Sequence, residues 1–223
     1  MRQFRLSVLL LAVVVAFAGS AFADTVSMNF LGPGGNNSGG VYTYPYQFSI
    51  DGGAPVSLIC DTFDNEVYSG ETWTATVTSL LVGAQAGGAG LFNGQVLNYE
   101  AAGLIFKGII SGAIDANTGN WAIWGLFSDN AKGNSAYWSS GANSLANYYL
   151  SKALNNSQAS DFAGLVLYTP YRWSGLMPQE YIGYVNVPEP SEIAMIMFMA
   201  MGSVLAFVFR KRIGLNLAIG QQA

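Results

Sequence analysis

Apolar and polar positions alternate cleanly at Tyr42, Tyr44, Tyr46, Phe48 and Ile50, with Thr43, Pro45, Gln47 and Ser49 between them. A period of two predicts a half-buried strand. Pro45 has no backbone donor, which marks this as an edge strand. Asp51-Gly52-Gly53 reads as a turn, and Pro55 to Cys60 as the returning strand of a hairpin. Trp73 to Leu81, rich in Thr and Val, predicts a third strand. Gly32 to Gly40 (GPGGNNSGG) reads as a flexible loop, too polar and Gly-rich to pack, and it lacks the Gly-Lys-Ser/Thr ending of a phosphate loop.

The period then changes. Ala102, Ile105, Phe106 and Ile109 recur at helical spacing within Tyr99 to Ile110, a helix that Gly103 and Gly108 weaken. Trp121, Trp124 and Phe127 fall on successive turns of a helix over Asn120 to Phe127. Leu145, Tyr148, Tyr149 and Leu154 predict another over Ala142 to Leu154. Strands return at Phe162 to Thr169, closed by Pro170, and at Glu180 to Val187. Strands, helices, then strands again predict an α+β fold: a β-rich sandwich or barrel-like domain with a few inserted helices.

Both ends of the chain depart from this patterning. Arg2 and Arg5 precede an apolar run from Leu6 to Phe17, and Ala21-Phe22-Ala23 offers small residues ahead of Asp24. That three-part order predicts a signal peptide over residues 1–23, cleaved between Ala23 and Asp24. At the other end Ile193 to Phe209 is a run of seventeen residues without a charge. As a helix it would span about 26 Å, close to the roughly 30 Å hydrocarbon core, so residues 193–209 are expected to form one C-terminal transmembrane helix. Arg210, Lys211 and Arg212 follow at once and should stay cytoplasmic, with the tail 213–223, leaving the preceding domain outside.

Composition sharpens the picture of what lies between. The whole chain of 223 residues is 51% hydrophobic and only 10% charged, with mean hydropathy +0.31. Residues 24–187 form one domain-sized region with eleven acidic and four basic residues, a charge of −7 against −4 for the whole chain. Such a domain is expected to bind no nucleic acid. The chain has no His, which removes imidazole metal sites, Ser-His-Asp and Cys-His catalysis and histidine switching. One Cys excludes an intrachain disulfide. No enzymatic activity, cofactor or metal is expected. The acidic run Asp61 to Glu66 (DTFDNE) offers oxygen ligands for Ca²⁺ but lacks the alternation and Gly of an EF-hand loop, so a solvated turn is the favoured reading and calcium binding the alternative.

Pro188-Glu189-Pro190, the spanning run and the basic cluster, in that order within residues 188–212, resemble the PEP-CTERM protein-sorting signal of Gram-negative bacteria. The resemblance implies recognition by an exosortase-type processing enzyme and delivery from an inner-membrane intermediate to the cell surface or an exopolysaccharide matrix. The tail after the basic cluster is longer than that pattern usually carries.

A second resemblance rests on Leu58-Ile59-Cys60-Asp61, Gly70-Glu71-Thr72-Trp73, Tyr99-Glu100-Ala101-Ala102 and Asn120-Trp121-Ala122-Ile123-Trp124. In that order they are similar to the thioester-domain adhesins, in which a Cys at a strand end joins a Gln four residues before a Trp. The resemblance puts Cys60 at the thiol position, Trp124 at the closing Trp and Asn120 at the acyl-donor position. Asn is one methylene shorter than the Gln of that family, and a misplacement near 1 Å can cost on the order of a hundredfold in rate. Asp61 beside the thiol would raise its pKa. The expectation is therefore a non-catalytic adhesive or structural domain. The alternatives are a reactive adhesin that acylates surface amines through Cys60 and Asn120, or a carbohydrate-binding module using Trp73, Trp121, Trp124, Trp138 or Trp173. For Trp121 and Trp124 a core role is favoured.

Overall fold

The computed structural model describes residues 25–80, 90–171 and 177–184, all within one compact unit, Met1–Val185. Among the described residues there are eight strands: β1 (Thr25–Pro33), β2 (Asn37–Ser38), β3 (Val41–Tyr42), β4 (Tyr46–Ile50), β5 (Val56–Cys60), β6 (Thr72–Ser79), β7 (Leu165–Pro170) and β8 (Tyr181–Tyr184). Six close into an antiparallel barrel in the order β1-β4-β5-β8-β7-β6, with β6 returning to β1. Strands β2 and β3 form a separate small hairpin. The α+β class and the barrel-like reading hold. Among the described residues no helix is long and apolar enough to cross a membrane, and the expected helix 193–209 lies outside them.

Alternation drives the barrel. In β1 the side chains of Met28 and Phe30 point inward while Ser27 and Leu31 face out, and β4 and β6 add Phe48, Trp73 and Ala75 to the interior. Phe48 is the hub, with ring centroids 4.6 Å from Tyr181, 5.1 Å from Phe30 and 5.7 Å from Trp73. Strand β1 went unread in the sequence, although Val26, Met28 and Phe30 carry the same period of two. The β4–β5 hairpin turns at Asp51 and Gly52 as expected, both with positive φ.

The helices form one excursion between β6 and β7, which are neighbours in the barrel: α1 (Val96–Ile110), α2 (Ala116–Phe127), α3 (Asp129–Gly133), α4 (Ser135–Ser139), α5 (Ala142–Asn156) and a 3-10 turn (Ala159–Phe162). Helices α1, α2 and α5 pack on one another around Tyr99, Ile105, Phe106, Trp121 and Ile123. Gly103, expected only to weaken α1, sits where a Cβ would come within 3.0 Å of Leu165 Cδ1, so its absence lets the helix approach β7. The short helices α3 and α4 were not expected. Each is under two turns and starts from a side-chain cap, Ser128 accepting from Ala131 N–H and Asn134 from Ala136 N–H.

Two expectations need correction. The alternating run 42–50 is not one edge strand. Residues 43–45 leave the ladder, the Tyr44–Pro45 peptide is cis, and β4 starts at Tyr46 inside a closed barrel that has no edge. The Gly32–Gly40 segment is not an unpacked loop. It contains the end of β1 and the first strand of the β2–β3 hairpin, and Gly39 lies so close to α2 that a Cβ there would be 2.8 Å from Trp121 Cζ2.

Candidate functional site around Cys60 and Asn120

Strand β5 ends at Cys60, which stands opposite Tyr181 in the β5–β8 register. Helix α2 is capped by Asp115, whose carboxylate accepts from Thr118 N–H at 2.9 Å, and its buried face meets the strand end. Asn120 lies on that face and is fully buried. Its Nδ2 donates to the Cys60 carbonyl oxygen at 3.0 Å, and its Oδ1 accepts the Tyr44 N–H at 2.7 Å. One turn earlier Asn117 Oδ1 accepts from Thr43 Oγ1. Two asparagines three residues apart therefore hold the 43–44 segment, and the Tyr44 donor lost from the ladder is satisfied by a side chain.

The structure thus brings the two sequence-designated residues, Cys60 and Asn120, together. The contact runs from the Asn120 amide to the Cys60 backbone. The Cys60 thiol is fully buried and donates to the Thr62 carbonyl at 3.3 Å. Burial pushes its pKa well above the usual thiol range and the adjacent Asp61 adds to this, while hydrogen bonding from Trp124 and Thr62 opposes it. The buried Trp124 indole N–H has no hydrogen-bond partner of ordinary geometry.

Beside the thiol lies a cluster that sequence reasoning missed. The β5–β8 register carries Asp61 next to Glu180, and Asp61 N–H donates to the Glu180 carbonyl at 3.3 Å. Both side chains are buried. The Glu180 carboxylate accepts from Tyr99 OH at 2.6 Å, from Leu91 N–H at 2.9 Å and from Thr169 Oγ1. Thr62 Oγ1 accepts from Glu180 N–H and donates to Asp61 Oδ1, both at 3.0 Å. Asp61 Oδ2 has no partner of ordinary geometry. Burial first, and the neighbouring Glu180 second, raise Asp61 well above the usual carboxylate range. Burial also raises Glu180, against the hydrogen bonds it accepts. Both shifts favour the neutral carboxyl, the larger one at Asp61, whose Oδ2 lacks a partner, while the hydrogen bonds that Glu180 accepts oppose its own. Its only sequence signal was a lone acid at the head of an apolar strand.

The DTFDNE reading is corrected accordingly: it starts in the core, since Asp61 and Thr62 are buried, and only Asp64 and Glu66 are solvated. Asp64 accepts from Asn130 of α3, and Glu66 accepts from Tyr68 OH at 2.7 Å. Among the described residues no group of His, Cys, Asp and Glu could hold a metal ion. Trp73, Trp121 and Trp124 are core, in line with the reading of the last two, and Trp138 is exposed. Ala23, Asp24, Trp173, Pro188, Glu189, Pro190, Arg210, Lys211 and Arg212 lie outside the described residues.

In front of Trp124 a groove of about 580 Å³ opens between the β2–β3 hairpin and residues 63–69. Phe63 and Trp124, their rings 5.3 Å apart, line it together with Tyr42 and Tyr68. Trp121 Nε1 donates to Ser38 Oγ at 3.1 Å and docks the hairpin on α2.

No protein-family model matches the chain, and no curated protein matches it. Among solved structures it is similar to the N-terminal domain of the Streptococcus pyogenes pilus tip adhesin Cpa, with 11% identity and a TM-score of 0.39. That similarity covers 76% of this chain and 97% of the adhesin domain. A likeness of that size leaves function to be argued from the residues.

Proposed function

We propose that the chain is an exported, surface-held protein whose α+β domain acts by binding, as an adhesive or structural module, and not by catalysis. The observation that carries the reading is the engagement of Asn120. Its amide spans the Tyr44 N–H and the Cys60 carbonyl at 2.7 and 3.0 Å, beside a thiol that is fully buried and held protonated. This is the chemistry of a structural clamp. Export and sorting are inferred from the signal-like residues 1–23 and from Pro188-Glu189-Pro190, the apolar run 193–209 and Arg210-Lys211-Arg212. The partners this implies are an exosortase-type enzyme, the membrane during sorting, and exopolysaccharide outside. Fractionation in a host that carries the sorting machinery tests this part. Surface-labelled protein beginning at Asp24 is expected, and cytoplasmic protein with its first 23 residues intact would refute it.

The second reading, an internal thioester between Cys60 and Asn120 that acylates surface amines, is favoured by the contact between the two residues. Intact-mass spectrometry separates the readings. A thioester lowers the mass by about 17 Da through loss of ammonia, and methylamine restores mass. The clamp reading expects the unmodified mass in wild type and in Asn120→Gln, with no response to methylamine.

A further inference from the structure

We propose that the groove between the β2–β3 hairpin and residues 63–69 is a binding site for an uncharged saccharide. The proposal rests on the adhesive reading above and names its ligand class.

Two exposed tyrosines carry the argument. Tyr68 is 63% exposed and Tyr42 54%, yet the Tyr68 hydroxyl is tied and the Tyr42 backbone is held in the hairpin. Tyr68 is tied three ways: its N–H donates to Glu71 Oε2 at 3.0 Å, its carbonyl accepts from Glu71 N–H at 3.0 Å, and its hydroxyl donates to Glu66 Oε2 at 2.7 Å. Tyr42 lies opposite Asn37 in the hairpin register, and its carbonyl accepts from Tyr46 OH. An exposed ring tied through its hydroxyl, as Tyr68 is, has already lost part of the freedom that binding would otherwise remove, and the hairpin backbone fixes where the Tyr42 ring starts. Aromatic faces suit the C–H face of a sugar ring, and Phe63 and Trp124 belong to the same lining.

The polar lining fits the other face of a sugar. Glu66 and Asn65 supply acceptors for ring hydroxyls, and Ser69 supplies a hydroxyl that can donate or accept. Few convergent polar groups on an aromatic wall, in a cavity of about 580 Å³, are what a small-molecule site of one to a few rings requires. The charge decides between sugar types. Glu66 lines the groove with no basic residue in the lining, and residues 24–187 carry −7, so uronic or sulfated sugars are repelled.

The test uses the full chain, purified in a detergent without a sugar headgroup. It is applied to an array of neutral oligosaccharides of glucose, galactose, mannose and N-acetylglucosamine, with polygalacturonate and choline as the competing chemistries. Retention of at least one neutral glycan is expected, weakened at least about tenfold by Tyr68→Ala and by Tyr42→Ala and unchanged by Tyr148→Ala on α5. Glu66→Gln, on an exposed side chain, is expected to weaken binding too and keeps the test decisive if a tyrosine variant unfolds. Silence on every neutral glycan, equal binding by the groove variants, or preference for polygalacturonate or choline would overturn the proposal. Surface location of the protein in the same cells shows whether only the groove assignment has failed or the adhesive reading with it.

Discussion

Replacing Asn120 with Ala tests the clamp most directly. The variant removes an acceptor from the Tyr44 N–H and a donor from the Cys60 carbonyl, at a position with no solvent access to replace them. A buried backbone group left without its partner costs about 1–3 kcal/mol, so the pair predicts a loss of about 2–6 kcal/mol. Set against a domain stability of about 5–15 kcal/mol, that is a large share. Urea unfolding of the full chain, followed by tryptophan fluorescence, reads it. With m of about 1–3 kcal/mol/M, a loss of 3 kcal/mol moves the midpoint by about 1–3 M. Asn120→Asp refines the test. It keeps the acceptor for Tyr44 but sets a carboxylate against the Cys60 carbonyl, so it should be as damaging at neutral pH and partly recover in acid, where a protonated carboxyl can donate again. The exposed bond from Asn130 Nδ2 to Asp64 serves as the control, and Asn130→Ala should change stability by no more than about 0.5 kcal/mol. A loss below about 1 kcal/mol in Asn120→Ala would refute the clamp.

Asp61 gives a pH signature. Its folded pKa lies above the ordinary 3.8, so the folded state holds an extra proton, and the stability this contributes is full below that value and declines as pH rises through the raised one. Melting temperatures should therefore show Asp61→Asn gaining on the parent as pH rises above about 4, and a gap independent of pH would contradict the sign. The Cys60 thiol is fully buried and held protonated, so a thiol reagent should label the native protein far more slowly than the urea-unfolded protein. Equal labelling rates would count against the burial. Gly125→Ala would put a Cβ 2.2 Å from Tyr137 Cε2, and a loss of about 1–3 kcal/mol is expected in thermal or urea unfolding. A neutral result would show that the α2–Tyr137 contact is looser than described.

The position of most elements was legible in local pattern. Helices α1, α2 and α5 fall where periodicity marks them, because one buried face imposes its period on the residues that form it. Strands β5, β6, β7 and β8 fall where turn residues and β-forming composition mark them, although Phe162 closes the 3-10 turn and β7 starts only at Leu165. The misses are physical. At Tyr44 and Pro45 the side-chain alternation continues while the ladder stops, since alternation reports burial and not hydrogen bonding. In 32–40 the glycines signalled freedom, whereas Gly39 is there because the Trp121 ring leaves no room for a Cβ. Helices α3 and α4 are too short to show a period.

Cys60 and Asn120 could be singled out from sequence because they sit in short motifs. Their contact, with its direction from side-chain amide to backbone carbonyl, could not. The same holds for Asp61 and Glu180, 119 positions apart, which meet only because β5 pairs with β8 to complete the barrel. Sequence alone determined the α+β class, the charge of the domain, the apolar runs at both ends and the absence of histidine chemistry. Tertiary structure decided that the amide is a clamp, that two carboxyls share a buried site and that two tyrosines frame a groove. Each of these depends on strand pairing or helix docking between distant segments, and local periodicity carries no record of which distant partner a buried face will meet.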